Sequence, residues 1–270
     1  MSQPTDCYIC TQCATQFAAT VGPPQSCPIC EDERQFVNPA GQQWTTAGQL
    51  HRTHRNVIAS EGPGVIGIGM TPDFAIGQRA LLIQGADGLV MWDCIPLRDE
   101  ALAEMIRALG GLRAIAISHP HFHSAMVDWA HAFQCPVYIH ADNQKWIMRH
   151  DRSICLWEGE SRDLGHDLTL LRCGGHFPGS AALHHAGDGG ALFTGDTFYV
   201  NPDRETVGWM YSFPNHIPVS AAAVRRAVDV LQPYSFRRVY SAWWNAIITD
   251  HGKEAISRSA ERYIAALAGA

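Results

Sequence analysis

Apolar and polar positions along this chain alternate between two periods. Short apolar runs, ALLIQ from Ala80 and LVMWDC from Leu89, flank Gly85-Ala-Asp-Gly88 and predict a β-hairpin with a glycine-bearing turn. Helical spacing follows, with Leu102, Met105, Ile106 and Leu109 on one face over 99–109 and Gly110-Gly111 ending it. Residues 114–117 read as a short apolar strand, 125–133 as a helix with Met126, Trp129, Ala130 and Phe133 on one side, and 136–140 as the next strand. The second half repeats the pattern: strands at 168–172, 181–185 and 191–194, a helix at 219–231, a strand at 238–241 and an amphipathic helix at 253–267. Alternating strands and helices, with hairpins early in each half, predict an α/β domain of sheets covered by helices.

The first third of the chain lacks this regularity. Glycine and proline are dense in GPGVIGIGMTP from Gly62, which predicts loops or a bulged edge strand. Before it, Gln42-Gln43 and the basic run His51-Arg-Thr-His-Arg55 read as a solvated connector with little regular structure. The expected organisation is therefore a small module over 1–38, a connector over 39–64 and a main domain over 65–270.

The module is defined by cysteine. Cys10-Thr-Gln-Cys13 and Cys27-Pro-Ile-Cys30 form two C-x2-C knuckles separated by 13 residues, a spacing that brings four thiolates to one tetrahedral ion. Zinc suits four sulfur ligands, with iron the alternative, and so short a segment needs such a staple to fold. Cys7 offers a competing pair with Cys10, but Phe17 stands where it can pack over a Cys10/Cys13 knuckle, an arrangement that resembles zinc ribbons and rubredoxin-like modules. The ion's expected role is structural. Cys94, Cys135, Cys155 and Cys173 stand singly among apolar neighbours and read as small buried side chains.

Composition narrows the function classes. With 20 basic against 26 acidic residues, a net charge of −6 and no visible basic patch, a nucleic-acid or anionic-membrane surface is not expected. The start of the chain has no charged region followed by an apolar core, and no apolar run reaches roughly 18 residues. An odd cysteine count adds to the expectation of a reducing, cytoplasmic setting. The sequence is compatible with a homo-oligomer.

Candidate chemistry concentrates in Ile117-Ser-His-Pro-His-Phe-His-Ser124, where three of the 14 histidines fall within five residues after a predicted strand. On an extended chain His119 and His121 project from one side and can share an ion. Two later segments add donors: His176 in the turn Gly174-Gly-His-Phe-Pro-Gly-Ser180, and Asp196 at the end of Leu192-Phe-Thr-Gly-Asp196. His184-His185, on a predicted strand, read as core or surface.

With these motifs the chain resembles the metallo-β-lactamase superfamily: S/T-H-x-H at 118–121, G-H-x-P-G-S/H at 175–180, F-T-G-D at 193–196, and an early strand ending in aspartate at Met91-Trp-Asp93. The resemblance covers roughly 65–265 and implies an αββα sandwich with metal between its halves. It makes His119, His121 and His176 the first-site ligands and Asp196 the carboxylate that bridges two ions. There are departures. The usual H-x-H-x-D-H run has His123 in place of Asp and Ser124 in place of the last His, and the stretch 239–245 lacks the family's C-terminal histidine. One well-formed site is therefore expected, holding zinc, with iron or manganese as alternatives.

The resemblance implies a hydrolase acting through metal-bound hydroxide on an ester, lactone, thioester or related bond of a small-molecule substrate. Asp196 would bind the ion or orient its water. His123 would titrate near neutral pH and handle protons, or line the wall. Asp93 would steady a ligand histidine, and His216, Tyr211, Phe213, Trp243 and Trp244 could line an aromatic pocket. The competing classes are a non-catalytic binding or scaffold protein whose ribbon docks a partner, and a redox protein with iron in both sites. On this reading the two sites are separable, and Cys27→Ser disturbs the module while sparing the main-domain ion.

Overall fold

The apolar runs that gave the hairpin its signal are buried on both faces, because the strands they form lie between helices and a second sheet. The computed structural model describes residues 5–85, 88–165 and 167–269; the two residues at the tip of the predicted 85–88 turn lie outside these. One sheet has seven strands in spatial order Arg55–Gly62, Val65–Thr71, Ala80–Gly85, Gly88–Trp92, Leu112–Ala116, Val137–His140 and Ile154–Trp157. The first four are antiparallel and the last three join in parallel. The other sheet has six strands, Ser161–Gly165, Leu168–Arg172, Ala181–His185, Ala191–Gly195, Arg238–Ser241 and Ile247–Ile248.

Alternation along each strand sorts the core into three layers. Leu81, Ile83, Val90, Trp92, Ala114 and Ala116 face the second sheet and meet Leu168, Leu170, Leu183 and Phe193 there. Their neighbours Ala80, Leu82, Leu89, Met91 and Ile115 point the other way and pack with Leu102, Ile106, Met126, Trp129 and Ala130 of the helices Glu100–Ala108 and Met126–Phe133. On the far side Leu171, Ala182, Leu192 and Val239 pack with Val224, Ala227, Ile256 and Ala260 of Ala221–Leu231 and Gly252–Leu267. Each such leucine or isoleucine removed from water contributes about 1.5–3 kcal/mol. The result is an αββα sandwich, and it explains why the runs are continuous rather than alternating. The Asp99 side chain caps the first outer helix by accepting from Leu102 N at 2.7 Å.

The stretch expected to be irregular is the main correction. Residues 47–53 form a helix with a Thr46/Gln49 capping box, Arg55–Gly62 is the edge strand of the large sheet, and Val65–Thr71 is an interior strand. The glycines that argued for loops serve a close approach. A Cβ on Gly67 or Gly69 would come within 2.6 or 2.7 Å of the Trp244 ring, which lies against that strand. The basic run at 51–55 is largely solvent-facing, as expected. Cys94, Cys135 and Cys173 are buried, but Cys155 is exposed.

Beside Trp244 lies a buried ion pair. Arg79 Nη1 is 2.8 Å from Glu61 Oε1, with side chains 0% and 7% exposed, and Arg79 Nη2 donates to Ser241 O at 3.1 Å. Arg79→Ala leaves the carboxylate uncompensated and is expected to cost about 3–5 kcal/mol. Thermal unfolding checks it: a loss under about 1 kcal/mol would show that water, not Arg79, satisfies Glu61.

The N-terminal segment forms two knuckles, one closed by Ala14 N to Cys10 O at 2.9 Å and the other by Cys30 N to Cys27 O at 2.9 Å. Its strand Tyr8–Cys10 pairs with Trp44–Thr46. It is fastened to the sandwich by Gln16 Nε2 to Asp128 Oδ2 at 2.7 Å, Gln16 N to Ser124 O at 3.1 Å and Ala18 N to Met148 O at 3.2 Å. Among the described residues no helix is long and apolar enough to cross a membrane.

Candidate metal centre

Strand ends bring the donors together. Past Leu112–Ala116 the chain runs through Ile117 and Ser118 to an extended His119, then turns through a single 3-10 turn at Pro120–Phe122. His119 and His121 thus converge by a turn rather than by the alternation of an extended strand. Ser118 O accepts from Ala181 N at 2.9 Å, which locks this strand end to the opposite sheet. His176 enters from the turn after Leu168–Arg172, where Phe177 N donates to Ser180 Oγ at 2.9 Å and Asn143 brackets Gly179 through both its backbone groups. Asp196 follows Gly195, whose φ is 56° and whose Cβ, if present, would lie 2.4 Å from Ser118 Oγ. Only glycine permits that approach.

One ligand atom from each of His119, His121, His176 and Asp196 lies within 4.8 Å of the other three, and all four side chains are buried. Asp196 Oδ1 is 2.8 Å from His119 Nε2 and 3.9 Å from His176 Nε2, while His176 Nε2 is 3.4 Å from His121 Nδ1. The outer nitrogens of His176 and His119 are held, while that of His121, Nε2, is buried without a partner. His176 Nδ1 meets two carbonyls, Met210 O at 3.1 Å and Tyr211 O at 2.9 Å, so it carries the proton and leaves the Nε2 lone pair for the centre. His119 Nδ1 lies 2.9 Å from Ser118 Oγ. Asp93 Oδ1 accepts from Ser118 N at 2.7 Å, so its support reaches the ligand through Ser118 rather than directly.

This donor set fits a cation. His119 Nε2 and Asp196 Oδ1 are buried and, although 2.8 Å apart, do not meet at hydrogen-bonding geometry and have no other partner. Burial pushes His121 well below the usual imidazole range and His176 down to about 4, so both stay neutral and able to ligate. Burial would raise Asp196, but His119, 2.8 Å away, outweighs it and holds the carboxyl low. Neutral imidazoles around a buried carboxylate are the surroundings a divalent ion satisfies.

The four module sulfurs also lie within 4.8 Å of one another, with Cys10 and Cys30 at 3.6 Å and Cys13 and Cys27 at 3.7 Å. Cys7 stays outside the group, which decides between the two knuckle pairings. The module's core is not its own. Cys10, Cys13, Cys27, Ile29 and Cys30 pack in one apolar cluster with Trp146 and with Phe177, the residue after a main-centre donor, and Phe17 and Trp44 close over it.

Some expectations are met and others change. His123 is buried, its Nδ1 is 3.1 Å from Trp146 O, and burial pushes its pKa down to about 3. It is not among the converging donors, and Ser124 and the stretch at 239–245 supply none. Among the described residues the main domain has one cluster of three or more metal-type donors. Phe213 lies 5.9 Å from the His176 ring and continues to Tyr199 and Trp243. Trp244 instead covers Gly67 and Gly69, and His216 is exposed. His184 binds Ser235 O away from the centre. The charged turn Glu31-Asp-Glu-Arg34 reaches the site: Tyr211 Oη donates to Glu33 Oε1 at 2.6 Å, and Arg34 Nη1 to His176 O at 3.2 Å. Nothing in the local sequence marks it beyond three acidic residues and one basic residue after a knuckle.

Residues 75–243 match the sequence profile of the metallo-beta-lactamase superfamily. The chain belongs to that superfamily. Solved metallo-β-lactamases share the fold: DIM-1 has a TM-score of 0.61 at 15% identity, over 78% of this chain and 98% of that one. FIM-1 from Pseudomonas aeruginosa, in a mono-zinc form, has 0.56 at 16%, over 77% and 95%. A Bacillus subtilis (strain 168) relative, described as uncharacterized protein YmaE, is 44% identical over 265 residues and 96% of both chains. At 96% of this chain that match takes in most of the cysteine module, which the superfamily profile does not reach.

Proposed function

We propose that this metallo-β-lactamase superfamily chain is a hydrolase with a single-ion active centre, acting on an ester, lactone, thioester or related acyl bond of a small molecule. The observation that carries the reading is the buried convergence of His119, His121, His176 and Asp196 beside positions, His123 and Ser124, that add no donor for a second ion. Zinc is the ion proposed for both sites, structural among the cysteines and catalytic among the histidines, since sulfur and imidazole sets both suit it. A divalent ion bound there supplies an acidified water and a Lewis acid for the acyl oxygen.

The chain's residues do the rest. The carbonyls of Met210 and Tyr211 hold the His176 tautomer, and Ser118 holds the His119 ring. Asp196, held in its ionised form, would help hold the ion and accept a hydrogen bond that orients the attacking water. Half-buried Tyr199, Phe213 and Trp243 beside His176 offer an apolar wall to the substrate. The test is chelation followed by stepwise zinc return, assayed on aryl esters, lactones and acyl thioesters. Turnover is expected to vanish and to return with filling of the histidine centre. Turnover indifferent to chelation would exclude the reading, and a filled centre inert to every class would favour a binding protein.

A further inference from the structure

The module's most unusual contact is the one its guanidinium makes with the main centre. Arg34 Nε and Nη2 are gripped by both oxygens of Asp32 at 2.6 and 2.9 Å, which leaves Nη1 aimed at His176 O, 3.2 Å away. The guanidinium lies 4.2 Å over the Phe177 ring and 5.0 Å over Tyr211, with its side chain only 10% exposed. Each surface it touches also touches the metal ligands. Phe177 stacks on His119 at 5.6 Å and meets His121 and His176 edge-on at 5.1 and 4.9 Å. Tyr211 O receives His176 Nδ1 and Tyr211 Oη is tied back to Glu33.

We propose that Arg34, carried by the cysteine module, is a positioning residue for the His176 ligand of the main centre. His176 is then held from three sides: its ring nitrogen by the 210–211 carbonyls, its own carbonyl by Arg34, and its ring by Phe177 clamped beneath the guanidinium. Rigid placement of an imidazole lowers the cost of ordering it around an ion, which is how outer partners raise metal affinity. A planar, fully charged group suits the task because one face stacks while the edge donates. The ion among the four cysteines, by ordering the knuckle from which residues 32–34 emerge, contributes to a site it does not touch.

This inference rests on the histidine cluster being a metal centre. The test uses the full chain with zinc in the cysteine site and the main centre emptied, titrated with cobalt. Arg34→Ala is expected to keep its cysteine-bound zinc, to bind cobalt at the main centre about 10–100-fold more weakly and to shift its ligand-field bands. Arg34→Lys restores a donor to His176 O without the planar stack and is expected to recover part of the affinity. Wild-type affinity and spectrum in Arg34→Ala would overturn the inference alone. Loss of the module's zinc in both variants would also overturn it, by making Arg34 a module-stability residue. A wild-type main centre that takes no cobalt would overturn the metal-centre reading and this inference with it.

Discussion

His176→Ala is expected to empty the main centre and reduce hydrolysis by more than about 100-fold, beyond the range found for outer partners of metal ligands. The substitution deletes the donor whose tautomer is set most firmly, by two carbonyls at 3.1 and 2.9 Å. It also opens a void against Phe177 and Phe213. The cysteine site is expected to remain filled, because its four sulfurs lie in the module and its order does not need an imidazole. Assay of the purified variant, with metal content measured alongside, checks both halves. Retained turnover would remove His176 from the mechanism.

Cys27→Ser is the second large effect. A segment with little apolar core depends on its ion, and structural zinc of this ligand type contributes on the order of 10 kcal/mol to folding in small peptides. The variant is expected to lose the module ion and expose the knuckles to limited proteolysis. Sequence reasoning would spare the main-domain ion. The shared cluster of the cysteines with Trp146 and Phe177 changes that expectation, since loosening the module frees the ring that packs on all three histidines. Weaker binding at the main centre should therefore accompany loss of the module ion. Undiminished affinity there would mean that Phe177 holds its place without the module.

Much of the sandwich was legible because its signals are local. Strand runs such as ALLIQ, the Asp99 cap and the Gly110-Gly111 stop lie within a few residues of what they determine. The donors His119, His121, His176 and Asp196 were legible for a similar reason, since they fall in three short motifs that each follow a strand. Where causes are distant, reading failed. Gly67 and Gly69 look like loop glycines until Trp244, far along the chain, is laid against them. His123 reads as a proton carrier or a wall residue until its ring is found buried with Nδ1 against Trp146 O, 23 positions on. Arg34 has no pattern of its own; its meaning lies in a carbonyl 142 positions away.

The central claim is that one chain holds two separate ions, one among sulfurs and one among imidazoles. Counting metal ions per chain by elemental mass spectrometry, in the wild type and in His176→Ala, tests it most directly. The account predicts two ions in the wild type and one, retained by the cysteines, in the variant. A single ion in both proteins, with the main centre still empty after added zinc, would contradict it.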